Sequence, residues 1–278
     1  MRPLRISAIS YLNTAPLMWD FEQGSAGEGF EISYTIPSAC AASLRTDAAD
    51  IGIIPAAAYT SIPGLAILPE VAIAARRAVR SILLVSQVPL ERIHSVALDT
   101  SSMTSVALTQ VLFAKWWGGE RTFTPMAPDL EVMLRKHDAG LLIGDPALRV
   151  DRSRYFTYDL AEEWIHLTGK PFVFAFWAVR KAALTEQSRV IDLGDIFRKS
   201  RDHGLEPQNL ERIAQEWALR LNLGEDEIRS YLTENIHYFL DLQCLEGLRL
   251  FYDYGAEIGV LPCTSALNFL ETARAVAS

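Results

Sequence analysis

Two long apolar segments decide the fold of this chain: residues 81–87 (SILLVSQ) and residues 172–179 (FVFAFWAV). Each segment is too apolar for the edge of a sheet, so each is predicted to be a buried strand. The block between them has its own succession of short strands and helices. A chain that leaves one lobe, builds a second and returns crosses between them twice, and we interpret these strands as the crossings. The pattern therefore predicts two α/β lobes with a ligand cleft between them.

The predicted crossings divide the chain into a discontinuous lobe and a continuous one. Lobe I is predicted to comprise residues 1–86 and 180–278, and lobe II residues 87–179. From residue 185 the pattern becomes all helical and ends in a helix from about residue 264, and we place these helices against lobe I. In the first part of lobe I, a β-α-β order predicts a parallel sheet. The predicted elements there are strands at 4–10, 32–36 and 51–54 and a helix over 38–48.

Composition and charge exclude several classes of protein. Half of the 278 residues are apolar and 22% are charged, which excludes disordered, coiled-coil and collagen-like chains. A formal net charge of −8 argues against a dedicated nucleic-acid-binding protein. Residues 204–278 hold twelve acidic residues and five arginines, so most of the net negative charge lies in the last quarter of the chain. The remainder, which contains the predicted cleft, is nearly neutral.

Metal and disulfide chemistry are not predicted. The three cysteines, Cys40, Cys244 and Cys263, are odd in number and lack metal-binding spacing, which fits a reducing compartment. The five histidines are scattered without a zinc motif. The N-terminal segment does not have the pattern of a secretion signal, and no apolar run approaches the roughly 20 residues that span a bilayer. We expect a soluble, cytoplasmic protein.

The first candidate binding segment, residues 10–16 (SYLNTAP), directly follows a predicted strand. In open α/β sheets, ligands bind at the carboxyl ends of the strands. The Asn13 side chain can donate and accept hydrogen bonds at once, and Thr14 can cap the next helix. An ordinary turn with a helix cap remains the alternative interpretation.

The second candidate segment, residues 99–105 (DTSSMTS), joins a strand to a helix. Hydroxyl groups and free N–H groups at the start of a helix suit a carboxylate or a phosphate. The segment lacks the lysine and the glycine spacing of a P-loop, which disfavours a nucleoside triphosphate. A serine-rich cap is the alternative, although five hydroxyls exceed what capping requires. They belong to Thr100, Ser101, Ser102, Thr104 and Ser105.

Two further residues are candidates because of the strands beside them. Asp145 follows the predicted strand 141–143 and either binds a substrate hydroxyl or caps the turn before Pro146. Ser81 begins the first crossing strand, where it can face the cleft. The sequence has neither GxSxG nor GxGxxG, so neither a hydrolase elbow nor a dinucleotide fold is indicated. From the residues alone, the chain is interpreted as a two-lobed binder of a small anion, with catalysis left open.

Six sequence blocks together resemble the chorismate dehydratases of the futalosine route to menaquinone. The blocks, in chain order, are SYLNTAPL, IGIIPAAAY, VRSILLVS, LDTSSMTSVALTQVL, LLIGDPAL and the stretch from DLAEEW to GKPFVFAFWA. The resemblance covers about residues 5–180. It implies the type II periplasmic-binding-protein fold and a cytoplasmic enzyme without metal or organic cofactor. The implied reaction removes water from chorismate to form 3-[(1-carboxyvinyl)oxy]benzoate, with no nucleic acid or membrane as partner.

The resemblance also implies roles for individual residues. The polar catalytic pair of the family corresponds to Asn13 and Ser81. A sister enzyme that makes 1,4-dihydroxy-6-naphthoate shares the fold but differs in the SYLNT motif, and it remains an alternative. A non-catalytic small-anion-binding protein of the same fold is a second alternative. The residues expected to contact substrate are Tyr11, Thr14, Ser38, Thr100, Ser101, Ser102, Thr104, Ser105 and Asp145.

Overall fold

The computed structural model describes residues 2–184, 192–263 and 266–271. Within them, ten strands form two separate five-stranded sheets. The strands are β1 (Leu4–Ile9), β2 (Phe30–Thr35), β3 (Ile51–Pro55), β4 (Leu65–Ala75), β5 (Ile82–Ser86), β6 (Ser95–Asp99), β7 (Thr122–Met126), β8 (Ala139–Ile143), β9 (Phe156–Asp159) and β10 (Phe172–Arg180). The first sheet has the order β2-β1-β3-β10-β4 and the second β7-β6-β8-β5-β9.

Helices flank both sheets. Those in the first two thirds of the described chain are α1 (Trp19–Glu22), α2 (Pro37–Arg45), α3 (Ala56–Tyr59), α4 (Thr104–Leu112), α5 (Leu130–Lys136), α6 (Asp145–Leu148) and α7 (Leu160–Thr168). The later ones are α8 (Leu193–Gly204), α9 (Pro207–Leu221), α10 (Glu225–Ser230) and α11 (Leu242–Glu257). None of the described helices is long and apolar enough to cross a membrane.

The two sheets confirm the predicted pair of α/β lobes. Each sheet contains parallel strands and one strand from elsewhere in the chain. This strand runs antiparallel to both of its neighbours. In the first sheet this strand is β10, which pairs with β3 and β4. In the second sheet it is β5, which pairs with β8 and β9. The chain therefore changes sheet after β4 and again after β9.

The crossings lie at different places from the predicted boundaries. Strand β5, expected in lobe I, belongs to the second sheet, and β10, expected in lobe II, belongs to the first. Both strands are buried on both faces, so their residue pattern does not reveal which sheet they join. We therefore propose lobe boundaries within residues 76–81 and 160–171.

The C-terminal helices pack mainly on the first lobe, as expected. Helix α8 lies against β4 and against the helical turn Leu12–Met18. Its last residue, Gly204, approaches so closely that an added Cβ would lie 2.0 Å from the Pro16 carbonyl oxygen. Helix α11 contacts both β10 and α4, so it touches both lobes.

The helix predicted from about residue 264 is wrong where the structure describes it. Residues 266–271 are extended, and Phe269 forms a parallel bridge with Ile67 of β4. The Ile67 N–H donates to the Asn268 carbonyl at 2.7 Å, and the Leu270 N–H donates to the Ile67 carbonyl at 2.8 Å. Strand β4 is at the sheet edge, and this segment satisfies the free N–H and carbonyl groups of Ile67. Residues 264–265 and 272–278 lie outside the described residues.

One buried carboxylate ties the two crossings together. Asp159, at the end of β9, is 6% exposed. It accepts hydrogen bonds from the N–H groups of Val79 (3.0 Å) and Arg80 (2.6 Å) in the first crossing. It also accepts from the N–H groups of Ala161 and Glu162 at the start of α7, in the second crossing. Burial raises the pKa of Asp159, and these donors oppose that rise by stabilising the charged form.

This carboxylate also supports a strained backbone turn. Arg80 has a φ of 64°, in the left-handed region that side chains other than glycine adopt at a cost. Its N–H is held by Asp159, and its carbonyl accepts a hydrogen bond from Arg152 at 2.9 Å. The Arg80 guanidinium pairs with Glu227 of α10 at 2.6 Å. Contacts with Asp159, Arg152 and Glu227 therefore fix the direction in which the chain enters β5.

We predict that Asp159→Ala lowers the free energy of unfolding by about 3 kcal/mol in urea denaturation. A lost helix cap costs about 1 kcal/mol, and buried N–H groups without partners add about 1–3 kcal/mol. The matched control is Asp129→Ala, since the exposed Asp129 caps α5 through the Val132 N–H alone. That variant should lose about 1 kcal/mol. Equal losses in the two variants would contradict a special role for Asp159.

Candidate active site

A cavity with about 420 Å³ of empty space, including its open mouth, lies between the lobes. Its wall is mostly apolar, and among the described residues that line it none is charged. Residues from the side of the first sheet are Ile9, Tyr11, Asn13, Pro37, Pro55, Ile73, Phe174 and Ala175. Residues from the side of the second sheet are Ile82, Ser102, Thr104, Ser105, Ile143 and Gly144.

Strand ends bring the polar part of this wall together. The segment after β1 supplies Tyr11 and Asn13, and the segment after β6 supplies the hydroxyls at the start of α4. Gly144 comes directly after β8. The carboxyl ends of parallel strands share one edge of a sheet, and in this fold the two edges face each other across the cleft. The structure therefore brings these segments together at the cleft.

The two lobes touch at the segment that follows β1. The Tyr11 ring packs so closely on Gly144 that an added Cβ would lie 2.6 Å from a ring carbon. Gly144 also has a φ of 64°, so both the backbone and the space require glycine. Beside this contact, the Leu12 N–H donates to Asp145 Oδ1 at 3.0 Å. Burial raises the pKa of Asp145 to about 6.

The hydroxyl-rich segment is used partly by the protein itself. The Thr104 hydroxyl donates to the Phe174 carbonyl at 3.0 Å and accepts from the Ala57 N–H at 3.1 Å, which joins the lobes. The Ser102 hydroxyl accepts from the Ser105 N–H at 3.1 Å, inside the first turn of α4. The Ser105 hydroxyl lines the cavity and has no hydrogen-bond partner among the described residues. It is therefore available to a ligand.

Five of the predicted contact residues do not line the cavity, and one of them, Asp145, accepts the Leu12 N–H beside it. The Ser101 hydroxyl donates to Asp99 Oδ1 at 2.5 Å, and Thr100 is exposed beyond it. Ser38 binds the Ser101 carbonyl through its backbone N–H at 3.0 Å. Thr14 is buried and faces a neighbouring groove under α9. Adjacency in sequence thus placed these hydroxyls near the site, but the turn geometry directs them elsewhere.

The predicted pair Asn13 and Ser81 meets through a third residue, Tyr231. Asn13 lines the cavity, whereas Ser81 is completely buried and directly precedes Ile82, which lines it. The Tyr231 phenol donates to Ser81 Oγ at 2.8 Å. Burial raises the pKa of Tyr231, while hydrogen bonds with Ser81 and Asn13 act in the opposite direction. Tyr231 could not be recognised from the sequence, because its place in a helical pattern is that of an ordinary core residue.

A second group of polar side chains has the residue types of a metal site but is explained without one. The ligand atoms of His237, Asp241 and Cys244 lie within 4.8 Å of one another. Asp241, however, pairs with the Arg76 guanidinium at 2.6 Å and caps α11 through the Cys244 N–H at 3.0 Å. Burial raises the pKa of Cys244 to about 12, so the side chain is a neutral thiol. The charge of the Asp241 carboxylate is therefore already balanced by the Arg76 guanidinium.

Solved structures show which fold this is. The chain superposes on a protein from Archaeoglobus fulgidus with a TM-score of 0.78 at 16% identity, covering 94% of this chain and 99% of that one. It also superposes on the periplasmic aliphatic sulphonate-binding protein of Escherichia coli with a TM-score of 0.64 at 16% identity, covering 94% of each. At such identities the similarity concerns the fold alone.

Sequence comparison identifies the family. The chain is 28% identical over 269 residues to the chorismate dehydratase of Thermus thermophilus, with 90% of this chain and 94% of the relative covered. The family described as Menaquinone biosynthesis matches residues 4–257. Because this match extends over most of the 278 residues, the protein belongs to the menaquinone-biosynthesis family and has the periplasmic-binding-protein fold.

Proposed function

We propose that this protein is a chorismate dehydratase, a hydro-lyase that converts chorismate to 3-[(1-carboxyvinyl)oxy]benzoate and water. The observation that carries the proposal is the group of Asn13, Tyr231 and Ser81 at an uncharged cleft, in which Tyr231 donates to Ser81 Oγ and lies near Asn13. Two of its members are the polar pair implied by the sequence resemblance. The relative from Thermus thermophilus, which is aligned along 90% of this chain, supports the same reaction.

The reaction needs little driving force from the protein. The substrate loses the proton on C3 and the hydroxide on C4, and the electron pair of the C3–H bond forms the C3–C4 double bond. The ring becomes aromatic, and proton and hydroxide leave together as water. Conjugation through the ring to the C1 carboxylate makes the C3 proton acidic. What the site must supply is orientation, a proton acceptor and help for the departing hydroxide.

The cavity wall supports a mechanism in which the substrate provides its own base. No histidine, lysine or carboxylate side chain lines the cavity among the described residues. We therefore assign proton removal to the enolpyruvyl carboxylate of chorismate, with Asn13 and Ser81 assisting orientation and hydroxide departure. Positioning alone is worth about 7–11 kcal/mol in favourable cases, and assisted proton transfer about 10²–10⁴-fold in rate.

The same wall can hold a dianion without a cation. The free Ser105 hydroxyl provides a donor for one carboxylate, and the end of α4 that carries the positive dipole faces the cleft. Apolar side chains from both lobes cover the faces of the ring. They include Ile73, Ile82 and Phe174. Orientation by neutral donors avoids the cost of burying an unpaired charge.

Two other functions fit the fold and are separated by product analysis. The Escherichia coli structure is named as an aliphatic sulphonate-binding protein, so the same fold serves proteins that bind small anions. A binding protein would retain chorismate unchanged. The sister enzyme of the pathway, which makes 1,4-dihydroxy-6-naphthoate, would leave chorismate untouched as well.

We predict that the purified protein consumes chorismate without any added metal or cofactor. The expected result is loss of the cyclohexadiene absorbance with stoichiometric appearance of 3-[(1-carboxyvinyl)oxy]benzoate by chromatography. A sample without protein is the control for spontaneous decay of chorismate. If the diene absorbance persists at the rate of this control, the dehydratase function is wrong.

We predict that Asn13→Ala and Ser81→Ala each lower kcat by about 10²–10⁴-fold, because each removes a polar group that assists the leaving hydroxide. Ser7→Ala is the matched control, since Ser7 is equally buried in β1 and its hydroxyl donates to Cys40 Sγ at 3.3 Å, away from the cleft. Steady-state kinetics on the three variants provides the measurement. Wild-type rates in Asn13→Ala and Ser81→Ala would remove their proposed roles.

We predict that Gly144→Ala lowers kcat/KM by about tenfold or more, because the added methyl group displaces the Tyr11 ring and misplaces the substrate. Gly169→Ala is the matched control. Gly169 has a similar φ of 68°, but an added Cβ there meets no atom within 4 Å. Both variants should lose about 1 kcal/mol of stability from backbone strain. Equal activities would show that the Tyr11–Gly144 contact does not matter for turnover.

A further inference from the structure

The hydroxyl of Tyr231 makes a directional hydrogen bond with one member of the predicted pair and lies near the other. It donates to Ser81 Oγ at 2.8 Å. Asn13 also lies close enough to the Tyr231 phenol to lower its pKa, in the same direction as Ser81 does. The Ser81 hydroxyl, in turn, donates to no acceptor among the described residues. The hydrogen bond therefore runs from Tyr231 to Ser81 and leaves the hydroxyl hydrogen of Ser81 free.

The direction of the hydrogen bond from Tyr231 to Ser81 has a chemical consequence. A hydroxyl that accepts a hydrogen bond becomes a better donor, because hydrogen bonds in series polarise one another. The free hydrogen of Ser81 is thereby strengthened as a donor toward an oxygen in the cleft. Burial raises the pKa of Tyr231, so the phenol keeps its proton at neutral pH and continues to donate. The same phenol lies near the amide of Asn13, which lines the cavity.

Tyr231 is held firmly enough to perform this role. It is 1% exposed and begins a π-helical turn, Tyr231–Asn235, directly after α10. At the other end of this turn, the Asn235 amide donates to the Ala78 carbonyl at 2.8 Å. Ala78 lies in the first crossing, three residues before Ser81. The turn that carries the phenol is thus attached to the segment that carries its acceptor.

A nearby tyrosine shows that burial alone does not produce such a contact. Tyr238 is 2% exposed, seven residues further along the chain. Its hydroxyl has no hydrogen-bond partner among the described residues. The two phenols are alike in burial and differ in what they bind, which makes Tyr238 a matched control.

We propose that Tyr231 is a positioning residue of the active site, which orients the Ser81 hydroxyl and the Asn13 amide for the departing C4 hydroxide of the substrate. The inference rests on the proposed dehydratase function and extends it to the C-terminal helices. Tyr231 acts through Ser81 and Asn13 and itself lies outside the cavity wall. Its loss should therefore affect the chemical step more than substrate binding.

The test compares Tyr231→Phe with the wild type in chorismate turnover. The variant retains the ring and loses one oxygen. We expect kcat to fall by about tenfold or more with KM within about threefold, since the removed interaction acts in the transition state. Tyr238→Phe should keep both constants within about twofold. Thermal unfolding of each variant shows whether the fold is retained.

A double-mutant comparison separates positioning from a general structural role. In a Ser81→Ala background, Tyr231→Phe should lower kcat by much less than in the wild type, because one of the two groups it orients is absent. A purely structural role would lower kcat by the same factor in both backgrounds. Should Tyr231→Phe fail to fold, Asn235→Ala replaces it, since it releases the same turn from Ala78.

Each outcome decides the matter. A wild-type protein that does not convert chorismate overturns the proposed function and this inference with it. A wild-type protein that is active, with Tyr231→Phe within twofold of it, overturns the inference alone. Equal factors in the two backgrounds do the same. A selective loss of kcat that is reduced in the Ser81→Ala background supports the role of Tyr231.

Discussion

The arrangement of the cleft depends on one buried carboxylate, that of Asp159. The described chain passes between the sheets at two places, and this side chain binds backbone N–H groups at both. It thereby holds the left-handed turn at Arg80, which directs the chain into β5. The Ser81 carbonyl then accepts from the Gly144 N–H at 2.7 Å. The segment that Asp159 holds thus positions both Ser81 and the Tyr11–Gly144 contact. The geometry of the site therefore depends on this crossing.

Most of the net charge of the molecule lies outside the candidate site. Most of the net charge of −8 comes from residues 204–278, which hold twelve acidic residues and five arginines. Several of these residues pair on the surface, as in Arg220–Glu216 and Arg229–Glu211. The cleft wall itself is apolar with neutral donors. Such a wall excludes water and lets a few oriented hydrogen bonds act at low dielectric, where they are strongest. It also fits a reaction in which the substrate brings two carboxylates of its own.

Several parts of the fold and the site could be predicted from sequence because they depend on local patterns. Apolar runs identify buried strands, and polar residues at strand ends identify the edge where ligands bind. The pattern could not show that β5 belongs to the second sheet and β10 to the first, since a strand that is buried on both faces has the same composition in either sheet. It also predicted a helix where residues 266–271 instead pair with the edge of β4, a contact with a partner about 200 residues away.

The sequence by itself therefore determined the fold class, the candidate segments and, through resemblance, the pair Asn13 and Ser81. Only the tertiary structure decided which hydroxyls face the cleft: Ser102, Thr104 and Ser105 line it, while Thr100 and Ser101 do not. It also joined Asn13 and Ser81 through Tyr231, which is 150 residues from Ser81 along the chain. The physical reason is that a hydrogen bond requires two groups within about 3 Å. Residue spacing in sequence carries no information about such a distance once the chain has crossed between lobes and returned.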